Sequence, residues 1–302
     1  MKNGLTELKQ HQIGQGALAG QMAVLLCAIL WSTSGLFIKF VDWHPALISG
    51  GRSILSILVL FPVRRFFNQD KGPIKPTAIP MGFGYAGTMI LFVFANKLTT
   101  SANAILLQFS APIWVAILGW IILRERPRWE NWLALLMIGP GLFLVLSGGL
   151  AGGKMPGNII ALLSGVTFAL NSVILRKYKD SNPLDIMIGA HIISVLFSIP
   201  FIFLHPPQFT LGSVLSIVYM GVFQVGLASA LFVYGIKRIT AVQSLVTASI
   251  EPVLNPVWVL LVLGITPSPS VIAGGFIILT AVLFSGLVAS RRASKIISRN
   301  NC

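Results

Sequence analysis

A carboxylate and two prolines interrupt an apolar run of the sequence that extends from about Ala241 to Leu263. Such a run can cross a bilayer as a helix of roughly 20 residues. A carboxylate at the membrane centre costs about 2.5–3.5 kcal/mol on insertion scales, which indicates a function for Glu251. It could bind a substrate ammonium or a coupling proton; the structural alternative is a carboxylate bonded to neighbouring helices. Pro252 and Pro256 each remove a backbone donor, which leaves carbonyl groups free to line a cavity.

Two more ionisable side chains fall inside apolar segments. Arg52 could bind a substrate carboxylate through two parallel hydrogen bonds, or its side chain could snorkel to the membrane surface. His191 could exchange protons at physiological pH, although a hydrogen-bonded core histidine is the commoner outcome. Neutral polar and aromatic side chains form a second set of candidates for the wall of a substrate cavity: Trp31, Tyr85, Asn103, Gln108, Asn171, Gln224, Gln243 and Asn255. Such polar residues more often bond one membrane helix to another, at about 0.6–2 kcal/mol each.

The composition predicts a membrane domain that would position these residues. The chain has 302 residues, of which 55% are hydrophobic and 10% are charged, with a mean hydropathy of +0.84. A soluble domain carries about 25% charged residues. Apolar segments recur along the chain near 20–40, 45–62, 78–96, 101–123, 130–148, 157–176, 184–204, 211–235, 240–263 and 269–289. We therefore expect an all-α polytopic membrane protein with ten transmembrane helices.

The distribution of basic residues predicts how these helices are oriented. Most of the 22 Lys and Arg residues lie in alternate connections or near the two ends of the chain. The remaining connections hold only Lys39, Lys97 and Lys154. By the positive-inside rule, both termini are expected in the cytoplasm, with the protein in the cell (inner) membrane. The net charge of +14 then reflects topology and attraction to membrane lipid, so no nucleic-acid partner is expected.

The two halves of the chain resemble each other weakly. An offset of about 140 residues aligns Pro112 with Pro252 and Pro127 with Pro267. Because each half has an odd number of spans, the second half would cross the membrane in the opposite sense, as in inverted-repeat transporters. We expect residues 1–18 to be a cytoplasmic tail, 19–149 and 150–290 to be inverted five-helix repeats within one membrane domain, and 291–302 to be a basic cytoplasmic tail.

Specific stretches resemble a known family. The segments Phe92–Ala104 and Ala111–Trp120, followed by Arg124–Arg126, look like the third-to-fifth span region of the EamA-type family in the drug/metabolite transporter superfamily. The second half repeats the pattern with Glu251–Pro256. This resemblance implies ten helices around a central cavity and transport of metabolites, often export of amino acids. One departure is Gly264–Thr266, where the family usually has Gly-Glu-Arg.

Other motifs do not indicate cofactor binding, metal binding or catalysis. Gly82–Gly87 matches a dinucleotide fingerprint, but no predicted strand precedes it, so close helix packing is the preferred interpretation. The two cysteines, Cys27 and Cys302, have no metal-ligand spacing. No serine lies in a nucleophile elbow. We expect no metal, no cofactor and no enzymatic activity.

These patterns predict a secondary transporter, expected to export small organic metabolites such as amino acids by alternating access. Its cavity would lie between the repeats, with Pro112, Pro252 and Pro256 at gating kinks. A proton is one candidate for the coupling ion. A passive facilitator is an open alternative, and so is a non-transporting receptor or scaffold, which the lack of a predicted soluble domain disfavours. The sequence does not determine the substrate, the direction of transport or the oligomeric state.

Overall fold

The computed structural model describes residues 2–67, 72–99, 101–146, 154–263, 266 and 268–299, and every regular element in these ranges is helical. The α-helices are α1 (Lys2–Trp31), α2 (Ser34–Lys39), α3 (Pro45–Phe67), α4 (Ala78–Met81), α5 (Phe83–Leu98), α6 (Ser101–Gln108), α7 (Ala111–Leu118), α8 (Trp129–Leu146), α9 (Met155–Lys177), α10 (Pro183–Leu204), α11 (Leu211–Tyr219), α12 (Ala228–Ile236), α13 (Ala241–Ala248), α14 (Glu251–Leu263) and α15 (Pro269–Arg299). Two π-helical segments, Gly119–Leu123 and Met220–Leu227, continue α7 and join α11 to α12. The expectation of an all-α fold is confirmed.

Several helical stretches are long and apolar enough to cross a membrane. By length and composition, the described residues contain five: Gly16–Lys39, Pro45–Phe66, Met155–Lys177, Pro183–Leu204 and Leu211–Ile236. Shorter apolar helices are Phe83–Leu98, Ala111–Leu123, Ala241–Leu254 and Pro269–Ser285. Ten crossings therefore remain a prediction, although each predicted apolar segment coincides with helix. Because α1 begins at Lys2 and α15 ends at Arg299, helix also extends into both predicted tails.

The helices of the two halves contact each other in a reciprocal pattern. Helix α3 packs against α10, and α8 packs against α15. Helix α1 packs against α12, while α5 packs against α9. In the sequence alignment, α1, α3, α5 and α8 of the first half correspond to α9, α10, α12 and α15 of the second. The α3–α10 and α8–α15 contacts thus join equivalent helices. The α1–α12 contact becomes the α5–α9 contact when the two halves are exchanged. A two-fold relation between the halves produces both kinds of contact. This pattern fits the two-repeat architecture.

The equivalent helices α3 and α10 run antiparallel. Arg64, near the end of α3, forms an ion pair with Asp185 in the first turn of α10. At the opposite end of the pair, His44 precedes α3 and stacks on His205, which follows α10, with ring centroids 4.6 Å apart. Burial and the neighbouring His205 lower the pKa of His44. Antiparallel packing of equivalent helices is the arrangement that an inverted repeat requires.

The glycines of the Gly82–Gly87 motif lie at helix contacts. A Cβ atom on Gly82 would lie 2.3 Å from the backbone N of Ala190 in α10. A Cβ atom on Gly84 would lie 3.0 Å from the backbone N of Asn171 in α9. These approaches bring α5 close to both neighbours, and they confirm the packing interpretation of the motif.

Candidate functional site

A cavity lies between the two halves of the chain, and the centres of water-sized molecules can occupy about 30 Å³ of it. On this measure one water molecule needs about 10–15 Å³, so the cavity has room for only a few water molecules. Its wall combines one carboxylate with neutral polar and aromatic side chains: Trp31, Ser34, Tyr85, Thr88, Met89, Phe92 and Gln108 from the first half, and Phe168, Gln224 and Glu251 from the second. Both halves therefore contribute to one site.

Two broken helices place Gln108 and Glu251 at this cavity. The fourth apolar segment breaks between α6 and α7, and the ninth breaks between α13 and α14, each just before a proline. Since Pro112 and Pro252 have no backbone N–H, the next residue in each case bonds three residues back: Ile113 N to Ser110 O at 3.0 Å and Val253 N to Ile250 O at 3.1 Å. The two breaks thus have the same local geometry in both halves.

The second proline of the ninth segment has a different context. Helix α14 continues through position 256, so the break precedes Pro252 and the backbone is helical at Pro256. The side chains of Asn255 and Pro256 lie outside the described part of the structure, and their predicted roles stay predictions. Whether Pro112 and Pro252 act as gates also stays a prediction.

The carboxylate of Glu251 is buried and lies at the start of α14. Its residue is 6% exposed, and no other described side chain or backbone group forms a hydrogen bond or ion pair with it. The N-terminus of a helix carries partial positive charge, which stabilises a carboxylate there by about 0.3–1 kcal/mol. That is too little to offset burial of a charge, so the neutral acid or a bound cation is required. The geometry thus fits an ammonium or a proton.

An aromatic cluster forms one side of the cavity. The Trp31 ring lies 5.4 Å from the Phe168 ring at an interplanar angle of 76°, and 5.2 Å from the Phe232 ring. The indole N–H of Trp31 is buried and has no hydrogen-bond partner among the described residues. Buried donors in native proteins are normally paired, so a solute or water that enters the cavity would find a donor here.

Tyr85 lines the cavity and separates it from His191. The Tyr85 hydroxyl lies 3.1 Å from Ser229 Oγ, and its ring makes an edge contact with the His191 ring at 5.6 Å. The Nδ1 atom of His191 lies 3.1 Å from Ser53 Oγ, and the residue is 0% exposed. His191 therefore lies in the core behind the described wall, and a role for it in proton exchange stays a prediction.

Arg52 is also behind the wall, because Gln224 and Met89 lie between it and the cavity. It is 1% exposed and does not snorkel outward. Asn103 is bonded away from the described cavity wall. Asn103 donates to Thr99 Oγ1 and to Asn158 Oδ1, both at 3.2 Å.

Two other candidates, Asn171 and Gln243, are not part of the described lining of the cavity. Asn171 is 0% exposed, and its backbone packs closely against Gly84 of α5. Gln243 is half-buried in the first turn of α13, where its backbone N–H donates to the capping hydroxyl of Thr240 at 3.2 Å. A role for Asn171 or Gln243 in substrate binding stays a prediction.

Several wall residues were absent from the predicted set: Thr88, Met89, Phe92 and Phe168. Thr88, Met89 and Phe92 follow Tyr85 at intervals of three, four and seven residues, which places these three and Tyr85 on one face of α5. Helical periodicity measured from Tyr85 could have identified them. Among the described residues, no group of three or more His, Cys, Asp or Glu side chains could hold a metal ion.

Comparisons with known proteins agree with this architecture. A protein from Archaeoglobus fulgidus described as an uncharacterized transporter is 25% identical over 267 residues, which is 88% of this chain and 96% of that protein. Solute carrier family 35 member G1 from Mus musculus is 28% identical over 179 residues, 54% of this chain. The match spans about half of that relative's own length, 48%.

A solved crystal structure shares the fold. It has a TM-score of 0.75 with 22% sequence identity and covers 92% of this chain and 98% of its own. The family model of the EamA-like transporter family matches residues 18–147 and again residues 155–287, which is most of the chain in two copies. The chain therefore belongs to the EamA-like transporter family, whose members are multi-pass membrane proteins.

Proposed function

We propose that this protein is a secondary transporter that exports small organic solutes carrying an ammonium group, such as amino acids, across the cell membrane. The observation that carries the proposal is the buried carboxylate of Glu251, which has no partner among the described residues and lines a cavity built by both halves of a transporter-family chain. The ammonium would bind Glu251, and its substituent would contact the aromatic rings of Trp31 and Phe168.

The cavity would be exposed alternately to the two sides of the membrane. Ten spans in two inverted repeats would rock against each other, with both termini in the cytoplasm. The helix breaks before Pro112 and Pro252 would serve as hinges, since neither break has a continuous hydrogen-bond ladder. A coupling proton would compete with the solute ammonium for Glu251, because one carboxylate cannot hold both.

Transport by purified protein in liposomes tests this function. We expect labelled amino acids to cross the membrane, and Glu251→Gln to reduce that flux at least tenfold. The reason is that a hydrogen bond to a charged group contributes about 1.5–3 kcal/mol. Glu130→Gln is the matched control, because Glu130 is a buried carboxylate of α8 outside the described cavity wall.

The same liposomes distinguish a coupled carrier from a passive facilitator. Accumulation of solute against its gradient when only a pH gradient is imposed indicates proton coupling, whereas equilibration without accumulation indicates a facilitator. Equal flux through Glu251→Gln and the wild type, with matching thermal unfolding profiles, would remove Glu251 from the mechanism.

A further inference from the structure

The guanidinium of Arg52 is buried but only loosely held. Its Nη1 lies 3.5 Å from Gln224 Oε1, and its Nη2 lies 3.5 Å from the backbone O of Met89 and 4.0 Å from Met89 Sδ. Its Nε has no hydrogen-bond partner among the described residues. Charge-assisted hydrogen bonds are normally about 2.7–2.9 Å long. Arg52 therefore has unused bonding capacity.

Among the described residues, Arg52 also lacks a counter-ion. Neither the Arg64–Asp185 pair nor the Arg176–Glu125 pair involves it. A buried cation without a carboxylate partner is costly, since the Coulomb attraction that would offset its desolvation is missing. An anion that reached this guanidinium would thus be bound strongly.

Both side chains that contact the guanidinium also line the cavity. Met89 and Gln224 form part of the cavity wall, so Arg52 is one side chain away from a bound solute. Gln224 belongs to the π-helical segment Met220–Leu227, and π-helical turns occur frequently at functional sites. Met89 is unbranched and flexible. The wall at this point is therefore made of groups that can move aside.

We propose that Arg52 is the carboxylate subsite of the cavity and that Gln224 determines specificity by occupying it in the absence of solute. This inference rests on the proposed function. The neutral amide oxygen of Gln224 stands where a carboxylate oxygen of the solute would bind. A solute carboxylate displaces it because hydrogen bonds between two ions are roughly twice as strong as neutral ones.

The transported class is then zwitterionic. The ammonium binds Glu251, and the carboxylate binds Arg52 after Gln224 rotates away. An amine of the same shape without a carboxylate leaves Arg52 uncompensated, so it binds more weakly. Selection between an amino acid and its amine thus depends on whether a solute carboxylate replaces the amide of Gln224 at the guanidinium of Arg52.

Liposome flux of paired probes tests this subsite. The probes are the common amino acids and the amine that decarboxylation of each would give, all radiolabelled. We expect the wild type to favour an amino acid over its amine at least tenfold. Gln224→Glu places a permanent carboxylate beside Arg52, so amino-acid flux falls at least tenfold and the preference is lost. Gln208→Glu is the matched control, since Gln208 is exposed and lies outside the described cavity wall.

Each outcome decides between the proposals. Equal wild-type flux of an amino acid and its amine overturns the carboxylate subsite but leaves the transporter function in place. Retention of the wild-type preference in a correctly folded Gln224→Glu protein also overturns the subsite. If that variant does not fold, the wild-type ratio alone decides. Absence of flux for both classes overturns the proposed function and this inference with it.

Discussion

At the scale of single residues, the two halves share a helix break before a proline but differ in the charge of the residue at that break. Ala111 and Glu251 occupy equivalent positions, each immediately before a proline at a helix break. The break depends on the missing N–H of the proline, so it needs neither side chain. Only the second half adds a carboxylate. Removing the charge should therefore change binding while leaving the broken helix in place.

Another single position should control stability instead of transport. A Cβ atom on Gly82 would lie 2.3 Å from the backbone N of Ala190, which cannot rotate away as a side chain would. We expect Gly82→Ala to lower the free energy of unfolding by about 1–3 kcal/mol, the usual cost of overpacking. Thermal unfolding in detergent measures this loss.

The same substitution at Gly139 is the control for Gly82. Nothing lies within 4 Å of a Cβ atom built on Gly139, which is on an exposed face of α8. Gly139→Ala should leave the melting temperature unchanged or raise it slightly, because alanine is the better helix former. Equal losses in both variants would contradict the close contact between Gly82 and α10.

At the scale of helices, one arginine connects the ends of three helical segments. Arg176, near the end of α9, donates from Nε to Glu125 Oε1 at 2.8 Å. Its Nη1 donates to the carbonyl oxygens of Ile236 at 3.1 Å and Lys237 at 3.2 Å, where α12 ends. Arg124, which precedes Glu125, has a φ of 56° and terminates the π-helical segment.

The opposite end of the bundle has a simpler connection. There Lys97 donates from Nζ to the carbonyl O of Val41 at 2.9 Å, joining the end of α5 to the segment after α2. A guanidinium with several acceptors constrains its neighbours more than one ammonium contact does. Arg176 should therefore hold its neighbouring helix ends more firmly than Lys97 holds the segment after α2.

Arg176→Gln tests the contribution of this connection. We expect the free energy of unfolding to fall by about 1 kcal/mol, a modest value because the pair is partly exposed. The control is Arg238→Gln, which removes an equal charge from the same end. Arg238 lies in the turn after α12, where its guanidinium is 3.4 Å from the Tyr234 ring centroid and its Nη1 donates to the backbone O of Tyr234 at 2.8 Å. Equal changes in melting temperature would argue against an inter-helix role for Arg176.

At the scale of the whole molecule, the faces of the bundle differ in charge. The Arg64–Asp185 pair and the Arg176 cluster lie among the basic connections, whereas the stacked His44 and His205 lie at the other end of α3 and α10. Basic connections are expected on the cytoplasmic side. Helix α9 has 23 residues and is therefore about 35 Å long, enough to span a hydrocarbon core of about 30 Å.

Cysteine labelling at the two ends of α9 tests this orientation. In a Cys302→Ser background, we expect a cysteine at position 154 to react with a membrane-impermeant maleimide in intact cells. A cysteine at position 177 should react only after permeabilisation. Cys27 is buried and should stay unlabelled in both cases. The reverse pattern would place the termini outside the cytoplasm.

The sequence by itself determined the class of protein, the helical segments, the two proline breaks and the presence of a carboxylate, Glu251, in an apolar segment. These features are local or compositional: apolar length, a missing N–H and a charge in a hydrophobic run can all be recognised without knowing which residues are neighbours in space. The repeat was predictable for the same reason, since coincident prolines are visible along the chain.

Only the tertiary structure decided which polar residues face the cavity. Asn103 and Gln108 belong to the same helix, yet Gln108 lines the cavity and Asn103 bonds to Asn158. Five residues of an α-helix turn a side chain by about 140° around the axis, and the rotation of a helix is set by its neighbours, not by its own sequence. The same applies to Arg52, whose place behind Gln224 depends on how α3 packs against the π-helical segment of the other half.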